Sequence, residues 1–196
     1  HTPEPRVPAI PSAILEAMSH QNCPDMRDGQ APNVRFTLAR IVYKTILRYV
    51  SEQHNRSCII TPLAPDHFRI EMSKGKARLY WDEVNDPQEP SASPTGYIVY
   101  TSQGGADFDN GVFVKGKNYE VELEPNMLYH FKVVATNKGG KSFPTETLSA
   151  YYTPAAKKTL MIVNGFQRLS SPAIRNNDSE QGFDIDEDPG VPYGTT

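Results

Sequence analysis

Between about residue 61 and residue 154, apolar and polar residues alternate in short runs that are separated by turn-forming residues. The runs are HFRIEM, KARLYWD, GYIVYTS, GVFVKG, NYEVEL, MLYHFKVVATN and TETLSAYYT. Alternation with a period of two predicts strands that bury one face and expose the other. Seven such strands within about ninety residues are typical of a β-sandwich. We therefore predict a mainly β protein built around a seven-stranded sandwich.

The first 60 residues follow a different pattern, which is typical of an α/β segment. The apolar run Ala13–Leu15 has the length of a short buried strand, and the polar stretch rich in Asp, Arg and Gly that follows predicts a loop. The stretch NVRFTLARIVYKTILRYVSEQHN repeats apolar residues every three or four positions, which predicts an amphipathic helix from Asn33 to about Asn55. The predicted buried face contains Val34, Leu38, Ile41, Thr45 and Leu47 or Val50, and another face contains Arg40, Lys44 and Arg48. Because one strand and one helix cannot bury each other's apolar surface, we expect this segment to pack on a further partner.

The chain after residue 156 changes character twice. The run KTLMIVNGF predicts a strand that ends at Asn164-Gly165, the first strand of a further α/β region. The acidic stretch NNDSEQGFDIDEDPG that follows shows no period, and we predict a solvated linker there. Its alternating Asp184, Asp186 and Asp188 are an alternative signal for a calcium site, although they do not complete an EF-hand loop. The predicted domains are therefore 1–60, 61–155 and 156–196.

Charge and composition restrict the classes of partner. The formal net charge is -3 and the Lys and Arg residues are scattered, so we expect no nucleic-acid partner. No apolar run approaches the roughly 18 residues of a membrane span. Cys23 and Cys58 leave two alternatives open, one disulfide in an oxidising compartment or two free thiols.

The middle block resembles a fibronectin type III domain. Trp81, in ARLYWD, stands where that family places its core tryptophan, and YEVELEPNMLYHFKVVATNKGGKS follows the family's Leu-x-Pro-x-x-x-Tyr-x-Phe-x-Val-x-Ala-x-Asn pattern. The resemblance implies that Tyr129 is the corner tyrosine, whose hydroxyl bonds to nearby backbone. It also implies five inward-pointing residues: Leu123, Tyr129, Phe131, Val133 and Ala135.

Such domains serve as spacers, as packing braces or as modules that bind proteins or sugars, and the fold does not decide among these roles. Four tyrosines offer a possible stacking platform for sugars, although strand tyrosines also belong to cores and sheet surfaces: Tyr97, Tyr100, Tyr151 and Tyr152.

The N-terminal stretch IPSAILEAMSHQN resembles the end of the zinc-dependent N-acetylmuramoyl-L-alanine amidases. In that family a late strand reads Pro-Ala-x-Leu-x-Glu, an Asn follows six residues later, and a long helix closes the fold. Here Pro11, Ile14 and Leu15 precede Glu16, and Asn22 stands six residues after it. By this match a turn is expected at Ser19 to Asn22, and the predicted helix follows. The family's Gly-Phe pair after the glutamate is replaced by Met18-Ser19. The resemblance implies that Glu16 is the catalytic glutamate, which takes a proton from a zinc-bound water and passes it to the leaving amine.

The zinc ligands of that family lie upstream of the matching strand, where this chain has only HTPEPRVPA. The histidines His20, His54, His67 and His130 are not paired at ligand spacing. We therefore expect zinc in the parent enzyme if it is active, and none in this chain, which by itself we expect to be inactive.

The order of parts is similar to that of Bacteroidetes secreted proteins that often bear the label xanthan lyase. Three hypotheses follow from these resemblances. The first is a fragment of a secreted, periplasmic or cell-surface hydrolase that acts on peptidoglycan or another polysaccharide, with Glu16 catalytic and the sandwich as an accessory domain. The second is a non-catalytic module that binds a glycan or a protein. The third is a polysaccharide lyase, which would need a base beside a neutralised uronate.

Overall fold

The computed structural model describes residues 14–19, 21–163, 173–176 and 181–184. The chain divides into two compact units. One contains the described residues up to Tyr43 together with two short strands after residue 164, and the other is Lys44–Val163. Each unit is described below by itself.

The larger unit is a β-sandwich whose strands coincide with the alternating runs. The strands are β1 (Asp66–Ser73), β2 (Lys76–Asp82), β3 (Gly96–Gln103), β4 (Val112–Val114), β5 (Asn118–Glu122), β6 (Leu128–Asn137), β7 (Gly140–Lys141) and β8 (Leu148–Tyr151). All seven predicted strands are present, and the two-residue β7 is an addition that the sequence pattern did not predict.

The strands form two antiparallel sheets. One has the order β1-β2-β5, and in the other β4, β3, β6 and β7 follow each other while β8 also pairs with β6. The β1–β2 hairpin has a two-residue turn in which Lys74 and Gly75 both have positive φ angles, 49° and 78°. A type I′ turn requires this conformation at both central residues, and it matches the right-handed twist of the strands.

The core lies between the two sheets and follows the predicted alternation. The five residues predicted to point inward are all buried: Leu123, Tyr129, Phe131, Val133 and Ala135. Trp81 is also buried and meets the Tyr97 ring edge-on at 5.4 Å between centroids. The hydroxyl of Tyr129 accepts a hydrogen bond from the backbone N–H of Glu124 at 3.1 Å. The predicted tyrosine corner and core tryptophan are therefore confirmed.

Two helices precede the sandwich strands. Helix α1 (Cys23–Gln30) occupies a stretch that its Asp, Arg and Gly residues had suggested was a loop, so that prediction was wrong. Helix α2 (Pro32–Gln53) confirms the predicted long helix. It begins at Pro32, one residue before the predicted start at Asn33. The fixed φ angle of proline suits the first helical turn, and its missing N–H costs nothing there because the first N–H groups of a helix have no partner within the helix.

Helix α2 ends in a Schellman motif. The N–H of Arg56 bonds to the carbonyl of Ser51, and the N–H of Asn55 bonds to the carbonyl of Glu52. Asn55 itself has a φ of 50°, a left-handed conformation that Asn tolerates better than most residues. This motif explains why the helix stops within two residues of the predicted end.

The predicted strand at Ala13–Leu15 is not present in the described residues. Residues 14–19 form an irregular segment, and Ile14 and Leu15 are exposed. A run of this length becomes a strand only when a neighbouring strand satisfies its backbone groups. No strand pairs with residues 14–19 in the described part of the chain.

The C-terminal predictions were also wrong where the structure describes them. Residues 159–163 form no strand, and the side chains of Leu160 and Ile162 are more than four-fifths exposed. Strand β10 (Gln181–Asp184) lies in the stretch predicted to be a linker and pairs with β9 (Ala173–Asn176), which precedes that stretch and overlaps it only at Asn176. Asp184 therefore belongs to a strand, whereas Asn164-Gly165, Asp186 and Asp188 lie outside the described residues.

We predict that Tyr129→Phe lowers the free energy of unfolding by about 1–3 kcal/mol, because it leaves the N–H of Glu124 without its acceptor in a partly buried turn. Urea denaturation followed by tryptophan fluorescence measures this change. Tyr151→Phe is the control, since Tyr151 is exposed on β8. Equal stability of the two variants would contradict the importance of the corner hydrogen bond.

Candidate functional site

Glu16 lies exposed in the irregular segment of residues 14–19. The turn predicted after it is present, because the N–H of Asn22 bonds to the carbonyl of Ser19 and the N–H of Gln21 bonds to the Ser19 hydroxyl. Asn22 is the N-cap residue of α1. Within the described residues, no hydrogen bond or ion pair joins Glu16 to Asn22. The catalytic role of Glu16 stays a prediction.

The described residues do not form a zinc site of the kind that the amidase resemblance implies. Within them, no three His, Cys, Asp or Glu side chains converge on one point. His130 bonds through Nδ1 to the Ser149 hydroxyl, and His67 faces the carboxylates of Asp66 and Asp82. His20 lies outside the described residues, and Cys58 is a free, partly exposed thiol.

The second half of α2 is attached to the sandwich by a buried ion pair. The ammonium of Lys44 lies 2.6 Å from a carboxylate oxygen of Asp86, and both side chains are about nine-tenths buried. The sequence pattern had placed Lys44 and Arg48 on a face away from the apolar stripe. In the structure these two cations instead point to acids in the loop between β2 and β3, and the predicted stripe residues Ile41 and Val50 are exposed.

Around this ion pair, a hydrogen-bond network joins the helix to the loop and to the linker before β1. Arg48 pairs with the carboxylate of Glu89, which also accepts a hydrogen bond from the Ser91 hydroxyl. The Ser91 hydroxyl in turn accepts the N–H of Ile60. Because Glu89 is buried, this pairing supplies the partners that a buried carboxylate requires.

Asn137 completes the network from the turn between β6 and β7. Its side-chain amide donates to the carbonyls of Ile60 and Ser91, and its amide oxygen accepts the N–H of Gly139. A Cβ at Gly139 would lie 2.3 Å from the carbonyl oxygen of Ile59, so the linker passes too close for any other residue type at this position. We call these contacts, from Lys44 to Asn137, the helix brace.

The outer face of the larger sheet carries a group of aromatic and cationic side chains. Tyr100 on β3 is opposite Lys132 on β6, and both point away from the core. The Lys132 ammonium lies 5.7 Å from the Tyr100 ring centroid. The Lys141 ammonium lies 5.4 Å from the same centroid and donates a 2.7 Å hydrogen bond to the Tyr100 hydroxyl. Two cations therefore flank one phenol ring.

A loop brings a second ring to this group. The ring centroid of Phe108 lies 3.9 Å from the Lys132 ammonium. The loop is held by Asp109, whose carboxylate accepts the N–H groups of Thr101 and Gly111 and whose own N–H bonds to the Thr101 carbonyl. We call Tyr100, Phe108, Lys132 and Lys141 the Tyr100 patch.

The other tyrosines considered as a sugar platform are distributed differently. Tyr97 lies in the core, where burial, together with the charge of Glu83, raises its pKa to about 12. Tyr152 packs against the core, and Tyr151 is exposed on β8. Of these four tyrosines, only Tyr100 lies beside cations on the outer face of the larger sheet.

The outer face of the smaller sheet shows ordinary surface ion pairs. Hydrogen bonds from Lys76 and then from Arg78 hold the pKa of Glu120 below its usual value. The hydrogen bond to Glu120 correspondingly raises the pKa of Lys76. These side chains are paired with one another, whereas the described contacts of the two patch ammoniums are to rings and a phenol oxygen.

Several solved structures are similar to about half of this chain. No protein-family model matches the chain, and no curated protein matches it significantly. A human fourth fibronectin type III domain is 21% identical with a TM-score of 0.43, and the match covers 53% of this chain and 88% of that domain. The third fibronectin III domain of the human KIAA0343 protein is 17% identical with a TM-score of 0.42, covering 52% and 90%. A titin crystal structure is 26% identical with a TM-score of 0.40, and the match covers 46% of this chain and 32% of the titin chain.

The sandwich has the fibronectin type III fold. This assignment rests on the strand order, the core tryptophan and the tyrosine corner of the sandwich. The similar solved structures match this chain only over single domains and at low sequence identity. The second half of α2, from Lys44, and its brace are additions to that domain within residues 44–163.

We predict that Lys44→Met lowers the free energy of unfolding by about 3 kcal/mol, because it removes a buried ammonium that lies 2.6 Å from the buried Asp86 carboxylate. Urea denaturation monitored by circular dichroism measures this change. Lys157→Met is the matched control, since Lys157 is exposed. A Lys44→Met protein as stable as the control would show that the ion pair does not hold the helix.

Proposed function

We propose that this chain acts as an accessory module that binds polysaccharide through the Tyr100 patch. The observation that carries the proposal is the placement of two lysines around one partly exposed tyrosine on an otherwise ordinary sandwich face. Aromatic rings offer flat apolar surface to the C–H faces of sugars, and ammonium and hydroxyl groups offer hydrogen bonds to their oxygens.

The helix brace supports an accessory role. Binding modules gain from a rigid scaffold, because a surface that is already ordered loses less conformational entropy when a ligand binds. The brace ties α2, the linker and two loops of the sandwich into one hydrogen-bonded unit. The patch itself is built on two paired strands, which hold side chains in place better than a loop would.

The broader hypothesis is that the module belongs to a secreted, periplasmic or cell-surface hydrolase that resembles an N-acetylmuramoyl-L-alanine amidase. The exposed Glu16, the turn after it and the long helix α2 support this hypothesis. Peptidoglycan would then be the polysaccharide that the module holds. Any zinc would need ligands other than the described side chains, so we derive no catalytic step through a metal. Polysaccharide lyase chemistry ranks last, because no observation of the structure favours it.

Retention on glycans tests the binding proposal. We expect the full chain to sediment with insoluble peptidoglycan, or to be retarded in native gels that contain soluble polysaccharides, at glycan concentrations that leave serum albumin unretarded. Absence of retention on every glycan in a broad set would contradict the proposal.

The amidase hypothesis predicts that the parent enzyme containing this chain releases peptides bearing an N-terminal L-alanine from peptidoglycan, and that Glu16→Gln in that enzyme reduces the rate at least 100-fold because general acid–base catalysis is lost. Mass spectrometry of the released peptides measures the rate. Glu52→Gln is the control, since Glu52 is exposed on α2 and belongs to no proposed site. A rate that Glu16→Gln leaves unchanged would reject the role of Glu16 and leave the binding role standing.

A further inference from the structure

We infer that the Tyr100 patch selects anionic polysaccharide, with Lys132 and Lys141 binding the carboxylate of a uronate sugar beside the Tyr100 ring. This inference rests on the proposed function and names the ligand class of the same site. It is carried by the positions of two ammonium groups and two rings on the outer face of one sheet.

The two ammoniums place positive charge beside the same ring. Both lie less than 6 Å from the centroid of the Tyr100 ring. An anionic group that binds beside this ring is therefore attracted by two cations. A carboxylate has two oxygens that can accept from both lysines. The arrangement therefore favours a ligand with negative charge over a neutral one.

The aromatic rings prepare the lysines for this role. Free lysine side chains lose considerable rotamer freedom when they bind a ligand. Here the Lys132 ammonium already lies against Phe108, and the Lys141 ammonium is already bonded to the Tyr100 hydroxyl. Part of the ordering has thus taken place before a ligand arrives, which strengthens binding.

The position of Tyr100 in the sheet favours a sugar over a peptide. Extended peptides commonly bind sheets by adding a strand to a free edge. Strand β3 lies between β4 and β6, and beyond the end of β4 the loop residue Asp109 occupies the hydrogen-bonding groups of Thr101. A ligand at Tyr100 must therefore be recognised by its own surface groups and not by main-chain pairing.

The same face supplies further hydrogen-bonding groups for an extended glycan. His130 and Lys132 are two residues apart on β6, so their side chains share one side of the sheet. His130 is bonded to the hydroxyl of Ser149, on the neighbouring β8. These groups lie along the strand direction next to the patch, where successive sugar hydroxyls of a linear chain could reach them.

The net charge of the protein confines its attraction for an acidic polymer to the neighbourhood of particular cations. The chain carries a formal net charge of -3, so an acidic polymer gains nothing from the overall charge. Binding to such a polymer therefore depends on the positions of individual cations. This dependence is what allows single substitutions to test the inference.

The test measures binding of the full chain to polygalacturonate by affinity electrophoresis and by calorimetry with galacturonate oligomers. We expect the double substitution Lys132→Gln and Lys141→Gln to weaken binding about tenfold or more, because charged hydrogen bonds are lost. The matched control is Lys157→Gln with Lys158→Gln, which removes the same charge from exposed positions outside the patch. We expect this control variant to bind polygalacturonate like the wild type. We also expect the wild type to bind fully methyl-esterified polygalacturonate and poly-glutamate at least tenfold more weakly than polygalacturonate.

Thermal unfolding of both double variants shows whether each is folded, and two surface substitutions of this kind should leave the transition close to that of the wild type. If glycans bind but the patch variant equals the control, the patch assignment is wrong while the proposed function stands. Equal binding of the methyl ester would reject the selection of charge, and tighter binding of poly-glutamate would reject sugar as the ligand class. No binding to any glycan would overturn both the inference and the proposed function.

Discussion

The burial of one face of each sheet against the other is the constraint on which the other features depend. Trp81, Tyr97 and the inward residues of β6 fill the space between the sheets, so the neighbouring residues of each strand must point outward. The Tyr100 patch is a direct consequence, because Tyr100 and Lys132 are the outward residues of a cross-strand pair whose neighbours are core residues. Shifting either strand by one residue would exchange core and surface and remove the patch.

The helix brace adds a second level of organisation, and it is polar where the core is apolar. Burying Lys44 with Asp86 removes both charges from water, so the pair gives the helix a defined position more than it gives the fold extra stability. Glu89, Ser91 and Asn137 satisfy the remaining polar groups around it. A network of this kind tolerates few alternatives, because a substitution that removes one member leaves its partner buried and unsatisfied. We therefore regard the second half of α2 and the sandwich loops that it contacts as one scaffold for the proposed binding face.

The sandwich could be predicted from the sequence because its signal is local and repeated. Period-two alternation fixed the strands, and the spacing of Trp81 and Tyr129 within matching runs fixed their places in the core. The isolated runs were not predicted correctly. Leu15 and Ile162 stand in apolar stretches of strand length, yet the structure describes both as exposed and irregular. Such a run becomes a strand only if a partner strand pairs with it, and nothing in the run itself encodes that partner.

The candidate site was harder to predict than the fold, because its contacts join residues far apart in the sequence. Tyr100 was considered among four tyrosines, but Phe108, Lys132 and Lys141 were not singled out, since only the pairing of β3 with β6 and the path of the loop bring them together. Period two does place Lys132 on the outer face of its strand, which is the one local signal the sequence offers. The pairing of Lys44 with Asp86 was missed for the same reason. The two residues are 42 positions apart in the sequence, and a helical pattern predicts contacts only between residues a few positions apart.

The most direct test of the account is to map the ligand onto the protein by NMR, recording amide and side-chain chemical shifts while galacturonate oligomers are added to the labelled chain. The account predicts that the largest changes occur at Tyr100, Lys132 and Lys141, with smaller ones at Phe108 and His130, and that residues on the outer face of the β1-β2-β5 sheet are unaffected. Changes confined to that opposite sheet or to the segment around Glu16, with the Tyr100 patch silent, would contradict it.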